Sequence, residues 1–377
     1  MNGMNGALTG TIVILISQIT AMASAGYPQA TGDRQSRFRT WLEREWVDSQ
    51  SIPDLRGYAI RYVHEIHSTL TPEEAAELRR RIANKPDHPD HHALRLYDQS
   101  VASGRPFTIE RALFAGGDRR WRWSRFDNAG IDEVMSDQAA WMWFDGRLEI
   151  SAPDDRGAAG RIAVTQVSTL LPEVARFFSG GMGVARTANL VIDQARLMAA
   201  DRWTVTATLA DKPNSEYVHV FEGTWSDDKG RGFVDHALVY HHGLQRPAVT
   251  TDLVDGWKYV PELDRWIAHK IETMNHQGRR ERAYRVTAIE PSPAPLPELL
   301  KIPSPERPDP IRGELAITSL VDHRTGRVMN QDADGRVVEG RLIKDSPQGA
   351  PWRYIGWAAL AAIAVGALIY VRRSKVS

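Results

Sequence analysis

The chain contains no cysteine. That excludes disulfides, thiolate metal sites, CxxC redox centres, a cysteine nucleophile and a lipid-modified N-terminal cysteine. It has no excess of either charge, with 47 Lys and Arg against 47 Asp and Glu in 377 residues. A dedicated nucleic-acid binder would be markedly basic, so no nucleic acid is expected as a partner. Lysine is scarce, eight of the basic residues, a bias that reads as coding composition rather than function. Also missing are a G-x-S-x-G elbow, a Walker loop and a G-x-G-x-x-G turn after a strand. No spacing of Ser, His and Asp nominates a triad, and the acidic pairs Asp154-Asp155 and Asp227-Asp228 sit in polar, turn-like stretches. No cofactor is implied, and no repeat recurs at a fixed period. With 42% apolar and 25% charged residues, the composition is that of a globular chain, neither disordered nor polytopic.

Long apolar runs are confined to the two ends. Residues 11–17 (Thr-Ile-Val-Ile-Leu-Ile-Ser) precede Ala23-Ser24-Ala25, an A-x-A cleavage pattern, and together predict a signal peptide over 1–25. Its basic n-region is lacking, since no Lys or Arg precedes Arg34. Trp352 to Val371 is a run of twenty residues whose only charge is one Arg at its boundary. At ~1.5 Å per residue it spans a ~30 Å hydrocarbon core. Trp352, Tyr354 and Trp357 at one end and Tyr370 at the other fit interfacial belts, and Arg372, Arg373 and Lys375 follow. The expectation is one transmembrane helix over 352–371 and a cytoplasmic tail over 372–377, with the body extracytoplasmic.

Between the ends, apolar spacing predicts a helix over 34–48, a strand over 55–66 and helices over 72–83 and 90–102. Thr71-Pro72-Glu73-Glu74 is a clear helix start. Short strands are expected over 107–114, 119–126, 139–144, 148–151 and 162–170, then helices over 172–178 and 188–200. From Trp203 onward the pattern is a meander, with strands over 203–210, 216–225, 232–241, 248–260, 265–274 and 281–290. Residues 291–310 hold eight prolines and suit an extended segment outside any central sheet. The domain plan is a mainly helical region with one strand over 26–105, a β-rich domain over 106–290, a Pro-rich linker over 291–312 and a small hairpin and stalk over 313–350.

Tryptophan is the most informative residue type, with twelve in the chain. Trp121-Arg122-Trp123 and Trp141-Met142-Trp143 each place two indoles on one face of a strand. If the strands are neighbours, the four indoles form one surface, either a platform for an apolar ligand or the packed interior of the domain. Arg120, Arg122 and Arg125 then occupy a solvated opposite face. His64-Glu65-Ile66-His67 is not a zincin motif: its two His are three apart on a strand, which directs them to opposite faces. His88, His91 and His92, or the group around His236, His241 and His242, could contribute to a metal site, but no ligand set is complete. Asn330 to Gly335 matches the start of a calcium loop, yet Arg341 stands where a bidentate Glu is needed, and an Asp-Gly hairpin explains the same residues.

The stretches Gly116-Gly117-Asp118-Arg119-Arg120-Trp121-Arg122-Trp123 and Trp141-Met142-Trp143-Phe144-Asp145-Gly146-Arg147-Leu148, with Asp255 to Pro261 later, resemble the periplasmic lipoprotein-carrier superfamily of LolA and LolB type. The resemblance covers at most residues 55–290 and implies an incomplete antiparallel barrel closed by helices around an apolar cavity. The helices over 72–102, the Pro-rich tail and the anchor depart from it, and periplasmic regulators of this fold would suit a tether better than a mobile carrier.

The fold expected is α+β: a large antiparallel, incomplete-barrel-like sheet with packed N-terminal helices, plus one C-terminal transmembrane helix. The function expected is a membrane-tethered, non-catalytic binding domain for a lipid, an apolar ligand or a protein partner, using Trp121, Trp123, Trp141 and Trp143. The alternative is an extracytoplasmic metal-dependent hydrolase using His88, His91 and His92.

Overall fold

The structure, a computed structural model, describes residues 32–49, 51–85, 88–127, 130–153, 177–180, 182, 190–198, 200–209, 217–241, 246–304, 307–331 and 337–341. The expected signal peptide, the strand over 162–170 and the membrane span over 352–371 lie outside them. Among the described residues no helix is long and apolar enough to cross a membrane.

Four helices are described. In α1 (Gly32–Asp48), Phe38, Trp41 and Leu42 recur at helical spacing and are buried. α2 (Pro72–Ile82) starts on a full capping box: Glu74 N–H donates to Thr71 Oγ1 at 3.2 Å, and Thr71 N–H to Glu74 Oε2 at 2.7 Å. α3 (His91–Ser103) stops at Gly104, whose φ of 63° favours glycine. α4 (Leu296–Leu299) is a single turn. Ala75, Leu78 and Ile82 of α2 pack with Leu94 of α3 as a small separate cluster.

The strands are β1 (Asp54–Ile66), β2 (Phe107–Gly116), β3 (Trp121–Arg125), β4 (Ile131–Met135), β5 (Ala140–Phe144), β6 (Arg147–Ser151), β7 (Leu190–Leu197), β8 (Arg202–Leu209), β9 (Tyr217–Ser226), β10 (Arg231–His241), β11 (Val249–Leu253), β12 (Trp257–Val260), β13 (Arg265–Ala268), β14 (Lys270–Asn275), β15 (Arg280–Pro291), β16 (Ser319–Asp322), β17 (Arg327–Gln331) and β18 (Val337–Arg341). Sixteen form one open sheet in the order β18-β17-β16-β6-β5-β4-β3-β2-β1-β15-β14-β11-β10-β9-β8-β7, while β12 and β13 pair as a separate ribbon. Every pairing is antiparallel except β16 with β6. The large, mostly antiparallel open sheet with few helices is the architecture expected.

Side-chain alternation assigns each strand two faces. One, the helix face, carries Ile60 and Tyr62 of β1, Leu113 of β2, Trp121 of β3, Ile271 of β14 and Tyr284 of β15, packed with Val260, Leu263 and Ile267 of the ribbon and with Phe177. Further along this face, α1 buries Phe38 and Trp41 against Trp203 and Trp225, with ring centroids 5.6–6.0 Å apart. The approach is so close that a Cβ on Gly232 would lie 2.6 Å from the Trp41 ring.

Over β1 to β6 the other face is covered by the segment expected to be a Pro-rich linker. Residues 292–304 and 307–318, here called the strap, lie against the sheet. Leu299 packs on Ala59, Ala112 and Phe114, and Leu300 on Val134, Trp141, Leu148 and Ile150. The strap then feeds β16, so the terminal strands expected as a separate hairpin continue the main sheet.

Three local expectations are corrected. Residues 188–200, expected as a helix, form edge strand β7 over 190–197. A bulge between Ile192 and Gln194 resets the alternation, so Leu190 and Ile192 share a face with Ala195 and Leu197, a spacing that imitates a helix. The run 248–260 is two strands, β11 and β12, and 265–274 is likewise split into β13 and β14. Strand β4 was not expected, because charged Asp132 and Glu133 lie at its centre.

Candidate functional site

Near the end of β1 the helix face is roofed by α3, leaving a cleft of about 560 Å³. Its lining includes His64, Ile66 and His67 from β1 and its exit, Arg111 from β2 and Trp123 from β3. Glu133 comes from β4, Arg282 from β15, and His92 and Leu96 from α3. The volume falls in the ~300–1,000 Å³ range of ligand pockets.

Register explains why these side chains converge. Tyr62 pairs with Arg111, Arg111 with Arg125, and Trp123 with Glu133. Trp123 Nε1–H donates to the Tyr62 hydroxyl at 2.7 Å, which fixes the ring plane. The Arg111 guanidinium lies 4.7 Å from the centroid of that ring, a cation–π contact at a buried arginine. His64 stacks on Tyr284, centroids 4.4 Å apart and planes 13° from parallel. His67 reaches Glu65 at 3.5 Å. Burial, then the nearby Arg280 charge, lower the pKa of its imidazole from the ordinary value despite Glu65. Arg125 is ion-paired with Asp127.

The four tryptophans do not form one surface. β4 separates β3 from β5, and Trp141 pairs with Val134 while Trp123 pairs with Glu133, the next residue along β4. The two pairs therefore stand on opposite faces. Trp121 is buried in the central core, its Nε1–H donating to the Asp118 carbonyl at 3.2 Å. Trp141 and Trp143 anchor the strap, donating to the carbonyls of Leu300 and Ala316, each at 3.1 Å. Trp123 alone lines the cleft.

Nor is the arginine face of β3 solvated. Arg122 is 0% exposed. It pairs bidentately with Asp309 of the strap at 2.7 and 2.9 Å, donates to the Leu299 carbonyl at 3.2 Å, and lies 3.1 Å from Asp132. Arg312 closes the network, ion-paired with Asp132 and donating to the carbonyls of Arg125 and Ile131. These two carbonyls flank the β3–β4 turn, and both residues also line the cleft on the other side.

The histidines are rearranged as well. His64 and His67 line the same cleft, because the strand ends at Ile66 and His67 no longer follows its alternation. His91 Nε2 bonds the Lys85 carbonyl at 2.8 Å, His88 lies 3.6 Å from Asp90, and His92 faces the cleft, so the three imidazoles do not converge. His236 is bonded to Asp252 at 2.8 Å, and the His241 ring packs against Tyr217. Among the described residues no three His, Asp or Glu are placed to hold a metal ion. Residues 332–336 of the calcium-like stretch lie outside the described residues, and the strands flanking them, β17 and β18, pair as a hairpin.

Arg111, Glu133 and Arg282 were not singled out from the sequence. The signal for the first was present: Arg111 occupies the apolar phase of β2, between Ile109 and Leu113. A charge at such a position marks either a buried pair or a site.

No protein-family model matches the chain, and no curated protein does. Among solved structures, the chain is similar to an outer membrane lipoprotein-sorting protein domain from Vibrio parahaemolyticus, with 10% identity over 67% of this chain and 92% of that one, TM-score 0.33. It is similar to a DUF1329 family protein from Desulfovibrio piger, with 6% identity over 66% and 92%, TM-score 0.32. It also matches MucB in complex with MucA(peri), with 12% identity over 69% and 60%, TM-score 0.19.

Proposed function

We propose that this chain is a non-catalytic binding protein that holds an apolar or amphiphilic ligand in the cleft beneath α3. The observation that carries the reading is Trp123. Its indole N–H is already committed to Tyr62, so what it offers the cleft is ring surface, held rigid beside Ile66, Leu96 and Ile131. A rigid aromatic floor is one element of a small-molecule site; here it is set among polar and charged side chains, among them His64, His67, Arg111, Glu133 and Arg282, which suits an amphiphilic ligand. Trp121, Trp141 and Trp143 serve the core and the strap, and the binding role rests with Trp123. The body is read as extracytoplasmic, tethered by a membrane span over 352–371 with the C-terminus cytoplasmic; the terminal hydropathy and basic flank support this.

The neutral probe N-phenyl-1-naphthylamine tests the reading. The full chain should enhance its fluorescence saturably. Leu96→Arg, which fills the cleft from α3, should weaken binding at least about ten-fold. Binding that survives both Leu96→Arg and Trp123→Ala unchanged would place the ligand elsewhere.

A further inference from the structure

Three arginines line the cleft, and two are occupied. Arg111 lies against the Trp123 ring, and Arg125 is paired with Asp127. Arg282 differs. It stands on β15 across from Ile66 and Thr273, is exposed at the mouth of the cleft, and has no ion-pair partner among the described residues. Its surroundings favour a hydrogen-bonding anion. The His67 backbone N–H is bonded to the Glu281 carbonyl at 2.9 Å, which ties the end of β1 to the start of β15 and brings its imidazole to the same rim. His92 lines the cleft from α3. The apolar floor of Trp123, Ile66, Leu96 and Ile131 belongs to the same space.

We infer that the ligand carries a single anionic group, a carboxylate or a phosphate monoester, which seats against Arg282 while its apolar body lies on Trp123. A guanidinium presents paired N–H donors that match either group, and the bonds formed are charge-assisted. The charge is limited to one group because Glu133 and Glu281 also line the cleft and repel a dense polyanion. A cationic head group is disfavoured by Arg282 itself. This inference rests on the reading of the cleft as a ligand site and adds the chemistry of the ligand's head.

The test is calorimetric titration of the full chain with decanoate, decyl phosphate and decan-1-ol, with acetate as a chain-free control. Decanoate or decyl phosphate should bind at least about ten-fold more tightly than decan-1-ol. Arg282→Gln, at an exposed position, should abolish that preference. Equal affinity for charged and neutral decyl compounds would overturn the anionic head and leave the cleft reading standing. Acetate binding as tightly as decanoate would overturn the amphiphile, making this a simple anion site. If no decyl compound binds, the cleft reading itself falls, and this inference with it.

Discussion

Trp123 and Trp141 sit on strands separated by one strand, β4, yet they answer to different demands. Trp141 is enclosed by the strap, packed with Leu148, Ile150 and Leu300 and lying 5.4 Å from the Arg122 guanidinium. Its truncation leaves a cavity, so Trp141→Ala should cost ~3–5 kcal/mol in urea unfolding. Trp123 is only partly buried at an existing cleft, and Trp123→Ala should cost clearly less while weakening ligand binding. Equal stability losses for the two variants would show that Trp123 is a core residue. Arg122 is a third case. Its removal leaves Asp132 and Asp309 buried without their shared cation, and Arg122→Ala should lose ~3–5 kcal/mol, as for other broken buried pairs. Arg122→Ala together with Asp132→Ala and Asp309→Ala should recover part of that loss. A sum of single effects would contradict the coupling.

At the scale of elements, the strap is held by charge as well as by apolar contact. Asp309 is pulled in two directions: burial raises its pKa, while the Arg122 hydrogen bonds and charge, with the N–H groups of Arg312 and Ile311, lower it and prevail. A carboxyl held below its ordinary value of 3.8 contributes stability that is fully present above that value and lost as pH falls through the folded pKa. The strap should therefore loosen under acid conditions, below about pH 4. Hydrogen exchange of residues 296–302 should rise at pH 3 relative to pH 6, after correction for the intrinsic rate, and Asp309→Asn should show raised exchange already at pH 6. Protection unchanged across that range in both proteins would mean that the ion pairs do not hold the strap.

The same elements show what was legible in the sequence. Strands with clean alternation, such as β1, and helices with caps, such as α2, are read directly. β4 and β7 are not. In β4 Asp132 is buried because Arg122, on the neighbouring strand, and Arg312, remote in sequence, neutralise it, while Glu133 on the opposite face lines the cleft. In β7 a bulge converts a period of two into a helix-like spacing. The strap was legible as extended chain, but its burial depends on a buried arginine that alternation alone assigns to solvent. Two tryptophan pairs announced aromatic strands; only the register through β4 reveals that they face apart.

For the whole molecule, the body is a sixteen-stranded sheet with a two-stranded ribbon, and the proposed membrane anchor is the apolar run over 352–371. A reporter fused after Ser377 should behave as cytoplasmic, and the mature N-terminus should lie near Gly26. A C-terminal reporter active only outside the cytoplasm would contradict that topology. The sheet divides its labour between two faces: the strap covers one over β1 to β6, while the other carries α1, the β12–β13 ribbon and, at the β1–β4 end, the cleft under α3. The Arg312 bonds to the Arg125 and Ile131 carbonyls cross between the faces, so a sealed strap keeps the β3–β4 rim of the cleft in place.

The claim on which the account turns is that this cleft is where ligand sits. Photo-crosslinking of the full chain with a diazirine-bearing decyl alcohol, read by peptide mass spectrometry, tests it most directly. The account predicts labels on β3 around Trp123, on α3 around Leu96 and at the end of β1 around Ile66, all lost in Leu96→Arg. Labels confined to α1 around Trp41 or to the β12–β13 ribbon, and indifferent to Leu96→Arg, would contradict it.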